Sequence, residues 1–229
     1  MQNTTQREIE IALAISDMYQ LLAMSLHLPT REFVKGLLDG SVAEDIQAIL
    51  EEIGFGHEKA EQLAASLKSL PEQKKPLEEM LAELRQEYTR LFTHPKEPEI
   101  SVYETLFRYN PEVDEVKPSL FISPAALDAE RCYKKAGLIL SKEVNEPADH
   151  IATEMEFMMF LYLQKAKALQ EDNRQEVERR EGEIKEFYEV HLQKWAKEFY
   201  DRCVESNHSE VYKALGEVGS MFVEAMLAD

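Results

Sequence analysis

Apolar residues recur at intervals of three and four along most of the chain, with polar residues between them, which is the pattern of amphipathic helices. Strand-like alternation, long heptad runs and internal repeats are absent from the sequence. The chain is therefore predicted to be all-α, a multi-helix bundle forming a single domain over residues 1–229. The first stripe runs from about Thr5 to Leu28, and the same spacing predicts helices over residues 30–40, 41–53, 57–70, 76–92, 123–137, 147–170, 173–199 and 209–228.

Polar residues at helix starts support several of these boundaries. Thr30, Ser41 and Asn173 each precede an apolar stripe, and we expect their side chains to act as N-caps. Residues 155–163 are apolar nearly all round, which places the 147–170 helix at the centre of the bundle.

The stretch of about 93–124 differs from the rest of the chain. It contains five prolines and almost no helical period. Connections of this length are uncommon in compact domains and tend to be functional or disordered. Because the stretch also holds several apolar and aromatic residues, it is predicted to be an ordered, proline-rich crossover with one short helix inside.

The segment Glu146-Pro147-Ala148-Asp149-His150 opens the long helix in this interpretation. Glu146 would be the N-cap, Pro147 the first helical residue and Asp149 the third. A carboxylate there suits the positive helix end, so capping is one role for Asp149 and ligand binding another. The same helix end favours a neutral ring at His150.

The charge balance narrows the range of partners. The chain has 26 Lys and Arg against 44 Asp and Glu, a formal net charge of −18. A field of this sign repels phosphate backbones and attracts cationic partners, so nucleic acid is not expected as a ligand. The acidity is equally compatible with a simple role in solubility.

The cysteines and the apolar runs indicate the cellular compartment of the protein. Cys132 and Cys203 are the only cysteines and form no paired motif, which fits a reducing compartment. The N-terminal residues show no secretory signal. The most apolar run, residues 157–163, is far shorter than the roughly 20 residues of a membrane span. We expect a cytoplasmic protein without stable membrane insertion.

The sequence contains none of the common catalytic motifs. It has no phosphate-binding glycine loop, no Gly-x-Ser-x-Gly elbow and no His-Glu-x-x-His zinc motif. The paired Glu-x-x-His motifs of di-iron bundles are also missing. We therefore expect no catalytic residue, no metal ligand and no cofactor.

Five short motifs are together more specific than any one of them. Their combination resembles the TorD/DmsD/NarJ family of redox-enzyme maturation chaperones, most specifically from Tyr88 to Trp195, although Tyr88 stands where many relatives carry tryptophan. The Glu-Pro-x-Asp-His motif is the most diagnostic. In chain order the motifs are Tyr88-x-x-Leu91-Phe92-x-x-Pro95, Ser101-Val102-Tyr103, Tyr133-x-x-Ala136-Gly137-Leu138, Glu146-Pro147-x-Asp149-His150-Ile151 and Phe187-x-x-x-His191-Leu192-x-x-Trp195.

The resemblance implies a helical domain without catalysis. Such a chaperone binds the twin-arginine leader and the body of a molybdopterin oxidoreductase subunit, and it assists cofactor insertion and assembly before export. By matching motif positions, the leader site would include Tyr88, Leu91, Phe92, Pro95, Tyr103, Asp149 and His150.

The chemistry of such a leader suggests which residues would bind its arginines and which would bind its apolar helix. A carboxylate can hold a guanidinium by paired hydrogen bonds, so we expect Asp149 to bind the arginines, helped by Glu146 or Glu104. An apolar helix fits an apolar groove. The wall of that groove is predicted to be Tyr88, Leu91, Phe92 and Tyr103, although an aromatic stripe of this kind is more often core.

Two other functions stay open at this level. The chain is also compatible with a helical interaction scaffold for a folded redox subunit, or with a carboxylate-metal enzyme built in a bundle. Guanine-nucleotide binding has been suggested for some relatives, but the sequence shows no loop for it. The oligomeric state is left open between a monomer and a helix-swapped dimer.

Overall fold

The structure, a computed structural model, describes residues 2–70, 74–116, 118–120, 122–139 and 146–226, with side chains from residue 4 onward. Within these residues the regular structure is helical, apart from one isolated β-bridge, which confirms the all-α prediction. A π-helical turn extends α5, and a short 3-10 turn precedes α10. The helices are α1 (Gln2–Ser25), α2 (Arg31–Asp39), α3 (Ser41–Ile53), α4 (His57–Lys68), α5 (Leu77–Tyr88), α6 (Glu104–Phe107), α7 (Pro124–Lys135), α8 (Ile151–Gln170), α9 (Arg174–Val190), α10 (Ala196–Glu205) and α11 (Glu210–Ala225).

The core is organised around α8, which packs along α1 and α9. Its inner face, with Met155, Met158 and Leu161, is fully buried. This central position is the predicted one. The opposite face is not sealed, because Phe160 is only half-buried and Leu163 is exposed. None of the described helices combines the length and the apolar character that a membrane crossing requires.

Two of the four predicted N-caps are confirmed. The side chains of Thr30 and Asn173 accept hydrogen bonds from backbone amides of α2 and α9, each at 3.2 Å. The prediction for Ser41 is wrong, because Ser41 is the first residue of α3 and Gly40 is the cap. Gly40 has a φ of 87°, and this left-handed turn, which glycine adopts without steric cost, joins α2 directly to α3.

The start of α8 also differs from the prediction. Glu146 is not the N-cap and Pro147 is not the first helical residue. The helix begins at Ile151, and His150 caps it by accepting a hydrogen bond from the amide of Ala152 at its Nδ1 atom, at 3.1 Å. Asp149 therefore precedes the helix instead of lying in its first turn.

The helix begins late because the residues before it form backbone hydrogen bonds with the crossover. The spacing of apolar residues in the sequence gives no sign of these bonds. The amide of Ile151 donates to the carbonyl of Val102 at 2.8 Å, and the amide of Glu104 donates to the carbonyl of Asp149 at 2.9 Å. These bonds hold the residue between them, His150, in an extended conformation with a ψ of 133°. The helix can begin only after this bridge.

The predicted helix over 173–199 is two helices. α9 ends at Val190, and His191 adopts a φ of −111° and a ψ of −82°, outside the helical region. The imidazole of His191 contacts Glu104, and the indole of Trp195 contacts Glu154. The break places both rings in the core, and no glycine or proline marks it in the sequence.

The described part of the crossover contains one short helix, α6, as predicted. α6 packs against α7, and its first residue, Glu104, is buried. The crossover therefore brings a charged side chain into the interior of the bundle.

Candidate functional site

The bridge between the crossover and the start of α8 assembles three of the predicted site residues. Tyr103 and His150 are paired in an antiparallel β-bridge, and their rings meet edge to face with centroids 5.3 Å apart. The hydroxyl of Tyr103 donates to the carboxylate of Glu146 at 2.5 Å. Glu146 itself is exposed.

The residues that directly follow α1 complete this patch. The ring of His27 is parallel to that of His150, with centroids 6.1 Å apart, and its Nε2 atom lies 3.1 Å from Glu156 on α8. The hydroxyl of Tyr88 donates to the carbonyl of Leu26 at 3.2 Å. Burial and then the negative charge of Glu146 raise the pKa of Tyr88 to about 12.

Most of the predicted apolar wall is part of the core. Leu91 is completely buried, and Tyr88 and Phe92 are 5% and 2% exposed. The ring of Phe92 contacts Tyr88 at 5.4 Å, Tyr212 at 5.1 Å and Phe199 at 5.9 Å between centroids. We name these four residues the sealed aromatic cluster. Pro95, by contrast, is exposed, and Tyr103 is half-buried.

Asp149 is fully buried and faces the crossover. Its Oδ2 atom accepts a hydrogen bond from the amide of Thr105 at 3.0 Å, and its Oδ1 atom has no hydrogen-bond partner. Burial raises the pKa of Asp149 above its ordinary value, against the lowering effect of the bonds from Thr105. In this arrangement an arginine from outside does not reach the carboxylate.

His150 is neutral at neutral pH, as the sequence predicted, but for a different main reason. Burial of the ring lowers its pKa to about 4, and the neighbouring His27 contributes to the shift. The bond from Ala152 to Nδ1 requires that nitrogen to be unprotonated.

A second buried carboxylate, Glu104, lies beside Asp149. Its Oε2 atom is 2.7 Å from Nδ1 of His191, and its Oε1 atom accepts from the guanidinium of Arg108. Glu104 is 1% exposed, so a role as a direct arginine ligand would require the site to open.

Glu154 completes the buried carboxyl cluster of Glu104, Asp149 and Glu154. Its Oε2 atom accepts from the indole of Trp195 at 3.1 Å, and its Oε1 atom has no partner. Burial and then the charge of Glu104 raise the pKa of Glu154 well above its ordinary value. Glu154 is therefore protonated over a range in which an exposed glutamate is ionised. Among the described residues, two sets of possible metal donors share His191: Asp128 with Cys132, and Glu104 with Glu154.

An open apolar groove runs between α1, the residues after α7, and α8. Its volume is about 450 Å³. Met24 on α1 is 51% exposed at this groove, and Ile139 is 85% exposed. We name it the α1–α8 groove; its lining residues are Gln20, Ala23, Met24, Tyr133, Leu138, Ile139, Thr153, Glu156, Phe157, Met159 and Phe160.

The α1–α8 groove joins the patch at the crossover. Glu156 lines the groove and contacts His27. His27 stacks on His150, which contacts Tyr103, the partner of Glu146. An unbroken chain of contacts thus leads from an exposed carboxylate to an open apolar groove. Such a surface can bind a ligand that is cationic at one end and apolar at the other.

Sequence reasoning did not select the groove residues, although two signals were present. Met24 on α1 is apolar but lies outside the stripe of Ile11, Ile15, Met18, Leu22 and Leu26 that enters the core. The apolar character of α8 continues round to Met159 and Phe160, beyond what one core face requires. Surplus apolar positions of this kind are the pattern that indicates an interaction surface.

Comparison with known proteins points to one family. Residues 56–201 match the protein family described as nitrate reductase delta subunit. A crystal structure described as that of a candidate redox enzyme maturation protein from Archaeoglobus fulgidus superposes with a TM-score of 0.53. The two chains share 21% identity over 91% of this chain and 93% of the other, so the likeness concerns the fold. No curated protein sequence matches the chain significantly.

Proposed function

The chain belongs to the nitrate reductase delta subunit family, the NarJ/TorD-type group of redox-enzyme maturation chaperones, and on that premise we propose that it binds the twin-arginine leader of a molybdopterin oxidoreductase subunit. In this proposal it acts in the cytoplasm without catalysis, and it keeps the subunit from export until cofactor insertion and assembly are complete. The observation that carries the proposal is the continuous surface from Glu146 to the α1–α8 groove.

The exposed carboxylates at the polar end supply the contacts for the two arginines. Glu146 is exposed, and the side chain of Glu156 is 50% exposed. A guanidinium can form two parallel hydrogen bonds with a carboxylate, which an ammonium group cannot match. The net charge of −18 adds a long-range attraction that speeds the approach of a basic peptide.

The α1–α8 groove supplies the site for the apolar part of the leader. A short apolar helix buries its face in a groove by inserting a few side chains. The exposed side chains of Met24 and Ile139 would be covered by such a helix. Their burial contributes favourable free energy of about 25 cal/mol per Å² of apolar surface removed from water.

The buried residues of the predicted site position this surface. Asp149 holds the amide of Thr105, and the backbone on both sides of it joins the crossover to α8. Beside the buried Tyr88 and Phe92, the carbonyl of Leu91 accepts a hydrogen bond from the amide of Ile100 at 2.8 Å, which ties the crossover to the core. We therefore assign direct contact to Glu146, Tyr103, Glu156 and the groove, and a positioning role to Asp149.

Calorimetric titration with synthetic leaders tests the proposal. A leader with the Arg-Arg pair is expected to bind, and a matched Lys-Lys leader is expected to bind at least about 10-fold more weakly because it loses the bidentate contacts. If neither peptide binds, the leader proposal fails, and the scaffold for a folded redox subunit becomes the better description.

Two variants with the same net charge test where on the surface the arginines of the leader bind. The double substitution Glu146→Gln with Glu156→Gln is expected to weaken leader binding about 10-fold or more through lost charge-assisted hydrogen bonds. The control neutralises Glu61 and Glu178, two exposed glutamates on α4 and α9, and changes the net charge by the same amount. Equal loss in both variants would mean that only the overall field attracts the peptide.

A further inference from the structure

We propose that Asp128, Cys132 and His191 form a binding site for a zinc ion between α7 and the end of α9. The proposal does not rest on leader binding. It concerns a group of side chains that the proposed leader surface does not use.

The three residues bring the donor types of zinc together. Asp128 and Cys132 are four residues apart on α7 and so share one face of the helix, while His191 reaches them from the break after α9. Their donor atoms, a carboxylate oxygen, Sγ and a ring nitrogen, all lie within 4.8 Å of one another. Carboxylate, thiolate and imidazole are the common protein ligands of zinc.

The spacing of two of the donors suits a tetrahedral ion. Nε2 of His191 lies 3.3 Å from Oδ2 of Asp128. Two ligands at zinc bond lengths of roughly 2.0–2.1 Å are about 3.3 Å apart when they subtend a tetrahedral angle.

His191 gives an independent indication of a ligand. Its side chain is 2% exposed, and Nε2 makes no hydrogen bond despite its closeness to Asp128. A buried ring nitrogen without a hydrogen bond is uncommon, and a metal ion bound there would satisfy it. This nitrogen faces Oδ2 of Asp128 at 3.3 Å, and a ring nitrogen of His191 lies within 4.8 Å of Sγ of Cys132.

The surroundings hold two of the ligands in the orientation a metal requires. Nδ1 of His191 is 2.7 Å from the carboxylate of Glu104, and metal-bound histidines usually donate their other N–H to such a carboxylate. The Oδ1 atom of Asp128 accepts from Nε of Arg131 at 2.9 Å, which leaves Oδ2 for the site. Asp128 and His191 thus each have a partner on the side away from the proposed ion.

The site has a route for the ion and a suitable charge. The side chain of Asp128 is 33% exposed, so one edge opens to solvent, where a water can complete a set of four ligands. Binding replaces the proton of the Cys132 thiol with the metal, and the proton is released to solvent. The carboxylate and the thiolate then balance the charge of Zn²⁺.

Such an ion would connect α7 to the junction of α9 and α10, and through Glu104 to the crossover. Because the ion would lie between packed elements and cross-link them, we assign it a structural role. Stoichiometric zinc would therefore not indicate an enzyme.

Cobalt substitution of the full-length protein tests the proposal. After removal of metal with a chelator, one equivalent of Co²⁺ is expected to produce tetrahedral d–d bands and a thiolate-to-cobalt charge-transfer band, and Zn²⁺ is expected to displace both. Cys132→Ser should abolish the charge-transfer band. Cys203→Ser, which changes the other buried cysteine, should leave the band in place.

A second variant keeps the test informative if Cys132→Ser perturbs the fold. Glu104→Gln leaves all three ligands and removes only the carboxylate behind His191, so zinc affinity should fall about 10- to 100-fold, with circular dichroism reporting the fold. Absence of the charge-transfer band in the parent protein, or its persistence in Cys132→Ser, would overturn the proposal. His191 would then contact only the carboxylates of Glu104 and Asp128.

Discussion

The sealed aromatic cluster and the α1–α8 groove use similar side chains, but they differ in what covers them. Tyr88, Phe92 and their neighbours are covered by α10 and α11, which contribute Phe199 and Tyr212. No described helix covers the groove, and two of its apolar side chains, Met24 and Ile139, are more than half exposed. The cluster therefore stabilises the fold, whereas the groove has apolar surface available for a partner.

The polar groups of the two regions differ in the same way. Behind the cluster, Asp149 and Glu154 are fully buried and their pKa values are raised, mainly by burial. Beside the groove, Glu146 and Glu156 are open to water. A carboxylate can attract an arginine from solution only where it is ionised and accessible, so position in the fold decides which acidic residues are contacts.

The largest expected effect is a loss of stability on substitution in the sealed aromatic cluster. Phe92→Ala should lower the free energy of unfolding by about 3–5 kcal/mol, because it leaves a cavity in a packed core. Leader affinity of the folded protein should stay the same. Chemical denaturation measures the free energy of unfolding, and calorimetric titration of the same preparation measures the leader affinity. A large loss of affinity with normal stability would show that Phe92 contacts the peptide, as the sequence predicted.

Asp149→Ala should lower the free energy of unfolding by about 1–3 kcal/mol, since the buried amide of Thr105 loses its acceptor. Asp149→Asn keeps an oxygen acceptor and should be much closer to the parent protein. Denaturation curves and leader titrations of the two variants separate positioning from contact. If Asp149→Asn binds the leader about 10-fold more weakly at unchanged stability, Asp149 does contact the arginines.

Glu154→Gln should change how stability depends on pH. Because burial raises the pKa of Glu154 above its unfolded value near 4.5, the contribution of Glu154 to stability is fully present below that value and is lost as the pH rises toward the folded pKa. The loss is at most about 1.4 kcal/mol per pH unit in that window. Glutamine does not ionise, so the stability difference between variant and parent should grow with pH. A constant difference between pH 5 and pH 8 would contradict a protonated Glu154.

The smallest expected effect is a loss of leader affinity on substitution in the α1–α8 groove. Ile139→Ser should weaken leader binding about fivefold, near 1 kcal/mol, with almost no change in stability, because the side chain is 85% exposed. Ile122→Ser is the matched control, since Ile122 is 74% exposed but does not line the groove. Equal affinities of the two variants would remove the groove from the binding surface.

The sequence by itself determined the helical class, most of the helices, two N-caps and the short helix in the crossover. These features depend on residues close together in the chain: the three- and four-residue apolar spacing, or a polar side chain beside the amide it caps. The family motifs also lie in the sequence, and they identified the residues around Tyr103, Glu146 and His150 before their contacts were known.

The tertiary structure alone decided where those residues point. α8 begins at Ile151 because of backbone bonds to Val102, and the helix after Asn173 breaks at His191, whose side chain meets Glu104. These partners are about 50 and 87 residues apart in the chain, and local periodicity carries no information about contacts at such separations. Burial follows from the same distant contacts, so only the folded chain separates the covered aromatic residues from the open groove.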